Sequence, residues 1–104
     1  MCGINGFLGK VKNHKLTIEK MNKTLVHRGP DSSGKWYDNR REIFLGHTRL
    51  SIQDLSKYGA QPMKSVSGRF VIVYNGEIYN CEKLKRELNR ATSDLQWRGS
   101  SDTE

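Results

Sequence analysis

The chain has 104 residues, 35% of them apolar, and a net charge of +7 from 18 basic and 11 acidic side chains; this length supports one small domain with one core. The basic residues are scattered from Lys10 to Arg98, densest at Lys83, Lys85 and Arg86, without the aromatic-interleaved stripe of a nucleic-acid surface, so they read as a solvated face and no nucleic-acid partner is expected. No apolar run approaches the roughly 18 residues of a membrane span and no charged-then-apolar leader opens the chain, so no membrane partner is expected either.

In chain order, Cys2 to Leu8 reads as a first strand broken by Gly3 and Gly6, where another backbone or a ligand could approach closely. Ile18, Met21 and Leu25 fall at i, i+3 and i+7, which predicts a helix from Leu16 to Val26. The stretch from His27 to Gly34 is dense in turn formers. Trp36-Tyr37 and Ile43 to His47 read as paired strands around a polar turn at Asp38 to Arg41, and Arg49 to Ile52 continues extended. Asp54 to Met63 reads as an irregular loop. Phe70 to Tyr74 is the strongest strand, a continuous β-branched and aromatic run expected to be buried on both faces. Asn80 is a candidate N-cap for a helix from Cys81 to about Ala91, with Leu84 and Leu88 on one face and Glu82 in the first turn. The tail from Thr92 to Glu104 turns polar.

Cys2 and Cys81 are too far apart for a metal spacing or a disulfide framework, which points to a reducing, cytoplasmic setting. His14, His27 and His47 fall in no ligand spacing, so no metal site is expected. The chemistry concentrates at the N-terminus. Once Met1 is removed, the thiol and free α-amine of Cys2 share one residue, a nucleophile and its general base. A free cysteine titrates at roughly 8.5 and an α-amine at roughly 7.7–8.0, so near neutral pH such an amine can accept a thiol proton. The competing reading of Cys2 is a small buried apolar residue.

Four further segments could serve such a nucleophile. Asn75 and Gly76 follow the central strand and could supply a side-chain amide and a backbone N–H to an oxyanion; Asn-Gly is equally the best short hairpin turn. Arg49 could clamp a substrate carboxylate or form a surface ion pair. Asp102 could hold a substrate ammonium or cap a helix. The loop His27 to Asp31 could line or close a pocket, or be a plain turn.

Met1 to Ile4, His27-Arg28-Gly29-Pro30-Asp31, Gly46 to Ile52, Gln61-Pro62-Met63, Asn75-Gly76-Glu77-Ile78-Tyr79-Asn80 and Ser101 to Glu104, taken together and in register, resemble the glutaminase domain of glutamine-hydrolysing asparagine synthetase. Other class II glutamine amidotransferases share the Cys and the Asn-Gly but usually differ around the arginine. The resemblance implies an α+β fold, the N-terminal nucleophile hydrolase α/β/β/α sandwich with antiparallel sheets. It also implies roles: Cys2 as nucleophile, Asn75 and Gly76 as oxyanion hole, and Arg49 on the glutamine carboxylate. Leu50, Ser51, Ile52, Gln53 and Glu77 would complete the glutamine pocket, with Asp102 on the amino group.

Such domains are roughly twice this length and precede an ATP-dependent synthetase domain. Residues 1–104 are therefore expected to be the N-terminal part of an amidotransferase domain, with the synthetase domain absent. ATP and magnesium are expected only in that missing domain, and no cofactor in this segment. The partners implied are glutamine and a synthetase domain or subunit, with a homodimer left open for the full-length form. The expected activity is hydrolysis of glutamine to glutamate and ammonia, the ammonia serving asparagine formation. The alternatives are an inactive remnant or interaction fragment, and a relative acting on another acceptor such as a sugar acid.

Overall fold

The computed structural model describes residues 1–93 and 95–104; of the polar tail, position 94 lies outside the described residues. The chain runs β1 (Gly3–Leu8), α1 (His14–Thr24), β2 (Ser32–Asp38), β3 (Ile43–Arg49), a 3-10 turn (Lys57–Gly59), β4 (Met63–Lys64), β5 (Val71–Ile72) and α2 (Cys81–Ala91). It is a small α+β arrangement with two antiparallel sheets, one ordered β1-β3-β2 and the other β4-β5.

β3 is central, so its two faces organise everything else. On one face lie Phe44, Gly46 and Thr48, covered by α1, whose Ile18 is fully buried. Phe44 stacks on Phe7 at 4.6 Å and meets the His14 ring at 4.6 Å. Gly46 is a close-approach position: a Cβ there would sit 2.4 Å from the side-chain oxygens of Asn22 and Asn5. Asn22 uses that space. It accepts from Asn5 Nδ2 (2.7 Å) and donates to Ser33 Oγ (2.8 Å) and the Gly34 carbonyl (2.9 Å), tying α1 to both edge strands.

The helix begins at His14 rather than Leu16 because Asn13 takes a left-handed backbone (φ 55°) and its carbonyl accepts from Thr17. It ends at Thr24, leaving Leu25 of the expected stripe in the cap. The predicted hairpin is present and longer than its apolar residues suggest, since β2 starts at Ser32 and pairs with β3 as far as Arg49. Asp38 shapes its turn by accepting from the N–H groups of Arg40 (2.9 Å) and Arg41 (3.1 Å).

The opposite face of β3 carries His47 and Arg49. Gly34, paired with His47, leaves room for the Gln61 carbonyl, which occupies the place of a Gly34 side chain. Gln61 Oε1 accepts from Tyr74 N at 2.6 Å, linking the segments that flank the small sheet. Burial pushes His47 below its ordinary value, towards the neutral imidazole.

Two expectations fail here. The run Phe70 to Tyr74 is not a strand buried on both faces: only Val71 and Ile72 are paired, and Phe70 and Ile72 are 65% and 43% exposed. Its partner β4 is two residues long, and no layer of described residues covers Phe70, so β-branched composition has nothing to pack against. Asn80 precedes α2 but makes no side-chain cap; its carbonyl accepts from Leu84 N instead. Glu82 does sit in the first turn, while Leu84 and Leu88 remain exposed. Trp97 folds back on α2, donating to Asn89 Oδ1 at 2.9 Å. Among the described residues no helix is long and apolar enough to cross a membrane.

Candidate active site

A cavity of about 400 Å³ opens where the start of β1, the segment after β3, the segment after β5 and the tail converge. This is within the size range of small-molecule sites. Cys2, Arg49, Leu50, Ser51, Ile52 and Gln53 line it from one side. Asn75, Gly76, Glu77 and Asp102 line it from the other.

Cys2 lies just outside β1 and is half-buried, not enclosed as a core residue. Its Sγ accepts from Leu50 N at 3.3 Å and lies 3.7 Å from the Leu50 carbonyl. Arg28 Nε donates to the Cys2 carbonyl at 3.1 Å, fixing the backbone of that residue from behind. Met1 is 72% exposed and so accessible to removal.

Arg49 ends β3 and is only 9% exposed. A buried guanidinium requires partners, and these are backbone carbonyls: Nη1 donates to Ser56 O at 2.7 Å and Nη2 to Asp54 O. That grip bends the chain back on itself, which is why Leu50 to Gln53 leave the sheet instead of continuing extended. Asp31 holds the same bend, its carboxylate accepting from Ser51 N at 2.7 Å. The loop His27 to Asp31 therefore does not line the cavity; it braces Cys2 and Ser51 from outside.

Asn75 and Gly76 are not a hairpin turn. β5 pairs backwards with β4, and neither residue has positive φ, which the tightest Asn-Gly turn requires. Gly76 packs against the Tyr74 ring: a Cβ would stand 2.5 Å from the Tyr74 hydroxyl. Gln53 Nε2 donates to Glu77 Oε1 at 3.1 Å across the cavity mouth. Asp102 caps no helix; its carboxylate accepts from Ile78 N at 2.7 Å and draws the tail onto the segment after β5.

Among the cavity residues to which the sequence assigned no role, Asp54 and Gln61 are the ones that tie distant segments together. Asp54 is buried, with Oδ1 on Ser56 N (2.7 Å) and Oδ2 on Ser100 N (2.9 Å). The Ser56 hydroxyl, the N–H groups of Ser100 and Ser56 and the Arg49 charge hold its carboxyl at about 2, below its ordinary 3.8. Gln61 bridges Tyr74 N and Thr103 Oγ1. Asp two residues before Ser signals a local turn; no local signal reveals Ser100, 46 positions on.

The profile of the glutamine amidotransferase domain matches residues 1–104, the whole chain. The chain belongs to the glutamine amidotransferase family. Asparagine synthetase (glutamine-hydrolysing) 3 of Bacillus subtilis is 40% identical over 109 residues, covering 100% of this chain and 17% of that protein. The asparagine synthetase (glutamine-hydrolysing) of Asparagus officinalis is 37% identical over 107 residues, with the same coverage of 100% and 17%. Amidase chry2 of Gibberella zeae is 35% identical over 116 residues, again covering 100% and 17%. This glutamine amidotransferase chain thus spans about a sixth of the length of these relatives. Its family is one of enzymes, and the cavity gathers the residue types that acyl transfer uses.

Proposed function

We propose that this chain carries the glutaminase site of an asparagine synthetase-like amidotransferase. The observation that carries the reading is that one cavity collects a half-buried thiol, an Asn-Gly pair free of hairpin duty, a buried arginine and, besides Asp54, the carboxylates of Glu77 and Asp102. In this reading Met1 is removed and the α-amine of Cys2 takes the thiol proton, directly or through water. The thiolate attacks the carboxamide carbon of glutamine. Asn75 Nδ2 and Gly76 N–H hold the resulting oxyanion, a stabilisation made only in the transition state. The C–N bond then breaks and ammonia departs with the proton returned from the Cys2 ammonium. Water, deprotonated by the same amine, cleaves the thioester to give glutamate and the free thiol.

Arg49 spends two N–H groups on carbonyls and keeps three for the glutamine α-carboxylate. Asp102 and Glu77 receive the α-ammonium. The layering supports an N-terminal nucleophile hydrolase sandwich: α1 covers one face of the first sheet, and Gln61 and Tyr74, flanking the second sheet, lie against the other. The ammonia passes to a synthetase domain, where ATP and magnesium belong, for asparagine formation or amidation of another carboxylate. A reducing cytoplasm keeps the Cys2 thiol free.

The test is glutamate release from L-glutamine by the intact protein that carries this chain, with its mass measured in parallel. Loss of Met1 is expected, with activity abolished by Cys2→Ala and largely retained by Cys81→Ala. Cys81 opens α2 and does not line the cavity. Full activity with Met1 retained, or unchanged activity in Cys2→Ala, would refute the reading.

A further inference from the structure

The geometry points to Asp54 as a positioning residue that sets the span between the two charged ends of the substrate pocket, Arg49 and Asp102. This rests on the glutaminase reading and adds a residue to it. Asp54 acts at both ends of its own structure. Its main-chain carbonyl accepts from Arg49 Nη2, while its carboxylate divides between Ser56 N and Ser100 N, at 2.7 and 2.9 Å. The first contact fixes the guanidinium. The Ser56 contact closes the loop whose own carbonyl holds Arg49 Nη1. The Ser100 contact docks the tail two residues before Asp102, across 46 positions of sequence.

The fit is tight on both sides. A Cβ at Gly59 would stand 2.2 Å from Arg49 Nη2, and a Cβ at Gly99 would stand 2.4 Å from Asp54 Oδ2. Asp54 itself is 6% exposed, and it reaches its two N–H partners at the surface, Ser56 and Ser100, from beneath. A carboxylate is the group that fits, since both oxygens face N–H donors and an amide presents only one acceptor. Glutamine carries its carboxylate and ammonium on one carbon. A pocket reading both needs its two charged clamps at a fixed separation, and small displacements cost binding and orientation heavily.

The test is Asp54→Asn in the intact protein, read by steady-state glutamate release, thermal melting and amide hydrogen exchange at Ser100. Losing one bond to a charged group predicts a KM for glutamine raised about ten- to hundredfold. The kcat is expected to stay within about threefold, because Asp54 bonds to neither Cys2 nor Asn75 among the contacts above. Ser100→Pro removes the same bond from the tail side. The double variant should shift KM no further than the larger single one, as for two partners of one contact. Unchanged KM in Asp54→Asn would overturn the assignment, as would kcat, KM and melting temperature worsening together in both single variants. If the wild-type protein released no glutamate, the glutaminase reading would fail on its own. Exchange at Ser100 would then decide: acceleration in Asp54→Asn supports the tether, and wild-type exchange overturns it.

Discussion

Asn75 follows β5 by three residues without the positive φ of a tight Asn-Gly turn, and the proposed glutaminase site assigns it to the oxyanion. A donor aimed at a developing oxyanion contributes in the transition state and little in the ground state. Asn75→Ala should therefore lower kcat by about 10²–10³ with little change in KM. Arg49→Ala and Asp102→Ala should instead raise KM, since each leaves one charged end of glutamine unpaired. Steady-state kinetics on the three variants separates the roles; an Asn75→Ala variant altered only in KM would remove Asn75 from the oxyanion. Cys2, Arg49, Asn75 and Asp102, which line the cavity, could be picked out of the sequence because each is a thiol, a charged group or an amide donor inside a distinctive local string. Asp54 drew no notice and Gln61, though inside a quoted string, drew no role, because their meaning lies in partners far along the chain, Ser100 and Thr103.

At the scale of elements, the tail is held to the body by carboxylates, which makes its docking dependent on pH. Asp54 has its folded-state value lowered to about 2 from 3.8 by the Ser56 hydroxyl, the Ser100 and Ser56 N–H groups and Arg49. A depressed carboxylate stabilises the fold fully above its unfolded value, and that contribution is lost as pH falls through the folded one. The Ser100 amide resonance should accordingly titrate with a midpoint near 2, and the tail should loosen between about pH 4 and pH 2. A midpoint near 3.8 would mean that the bond does not form in solution. The elements themselves were legible where local periodicity and packing agree. The hairpin β2–β3 and helix α1 came within a few residues, because β3 and α1 bury what their patterns display. The run Phe70 to Tyr74 misled, because a strand's burial depends on neighbours that its own composition cannot supply.

The molecule as a whole is more open than its length suggests. A compact chain of this size has a radius of gyration of about 13 Å, against 14.9 Å here, with extents of 46 × 31 × 19 Å. Its accessible surface is 7518 Å², where a folded monomer of this mass has about 6,000 Å². Among the described residues the buried apolar side chains are Ile18, Phe44 and Met63, while Phe70, Ile72, Tyr79 and Leu88 face solvent. The first sheet and α1 form the packed part; β4, β5 and α2 present apolar surface and strand edges that invite pairing with other chains. Net stability is a small difference between large terms, so a fold this open has little margin. Asn75, Gly76 and Glu77 sit between β5 and α2, in the loosely packed part, whereas Arg49 ends β3 of the packed sheet and Cys2 directly precedes its β1. The 104-residue polypeptide by itself should therefore melt broadly by circular dichroism and release glutamate slowly, with the Asn75-Gly76 part of the cavity failing before the part around Cys2. A sharp cooperative transition, together with turnover equal to that of the intact protein, would show that the exposed elements need no further cover.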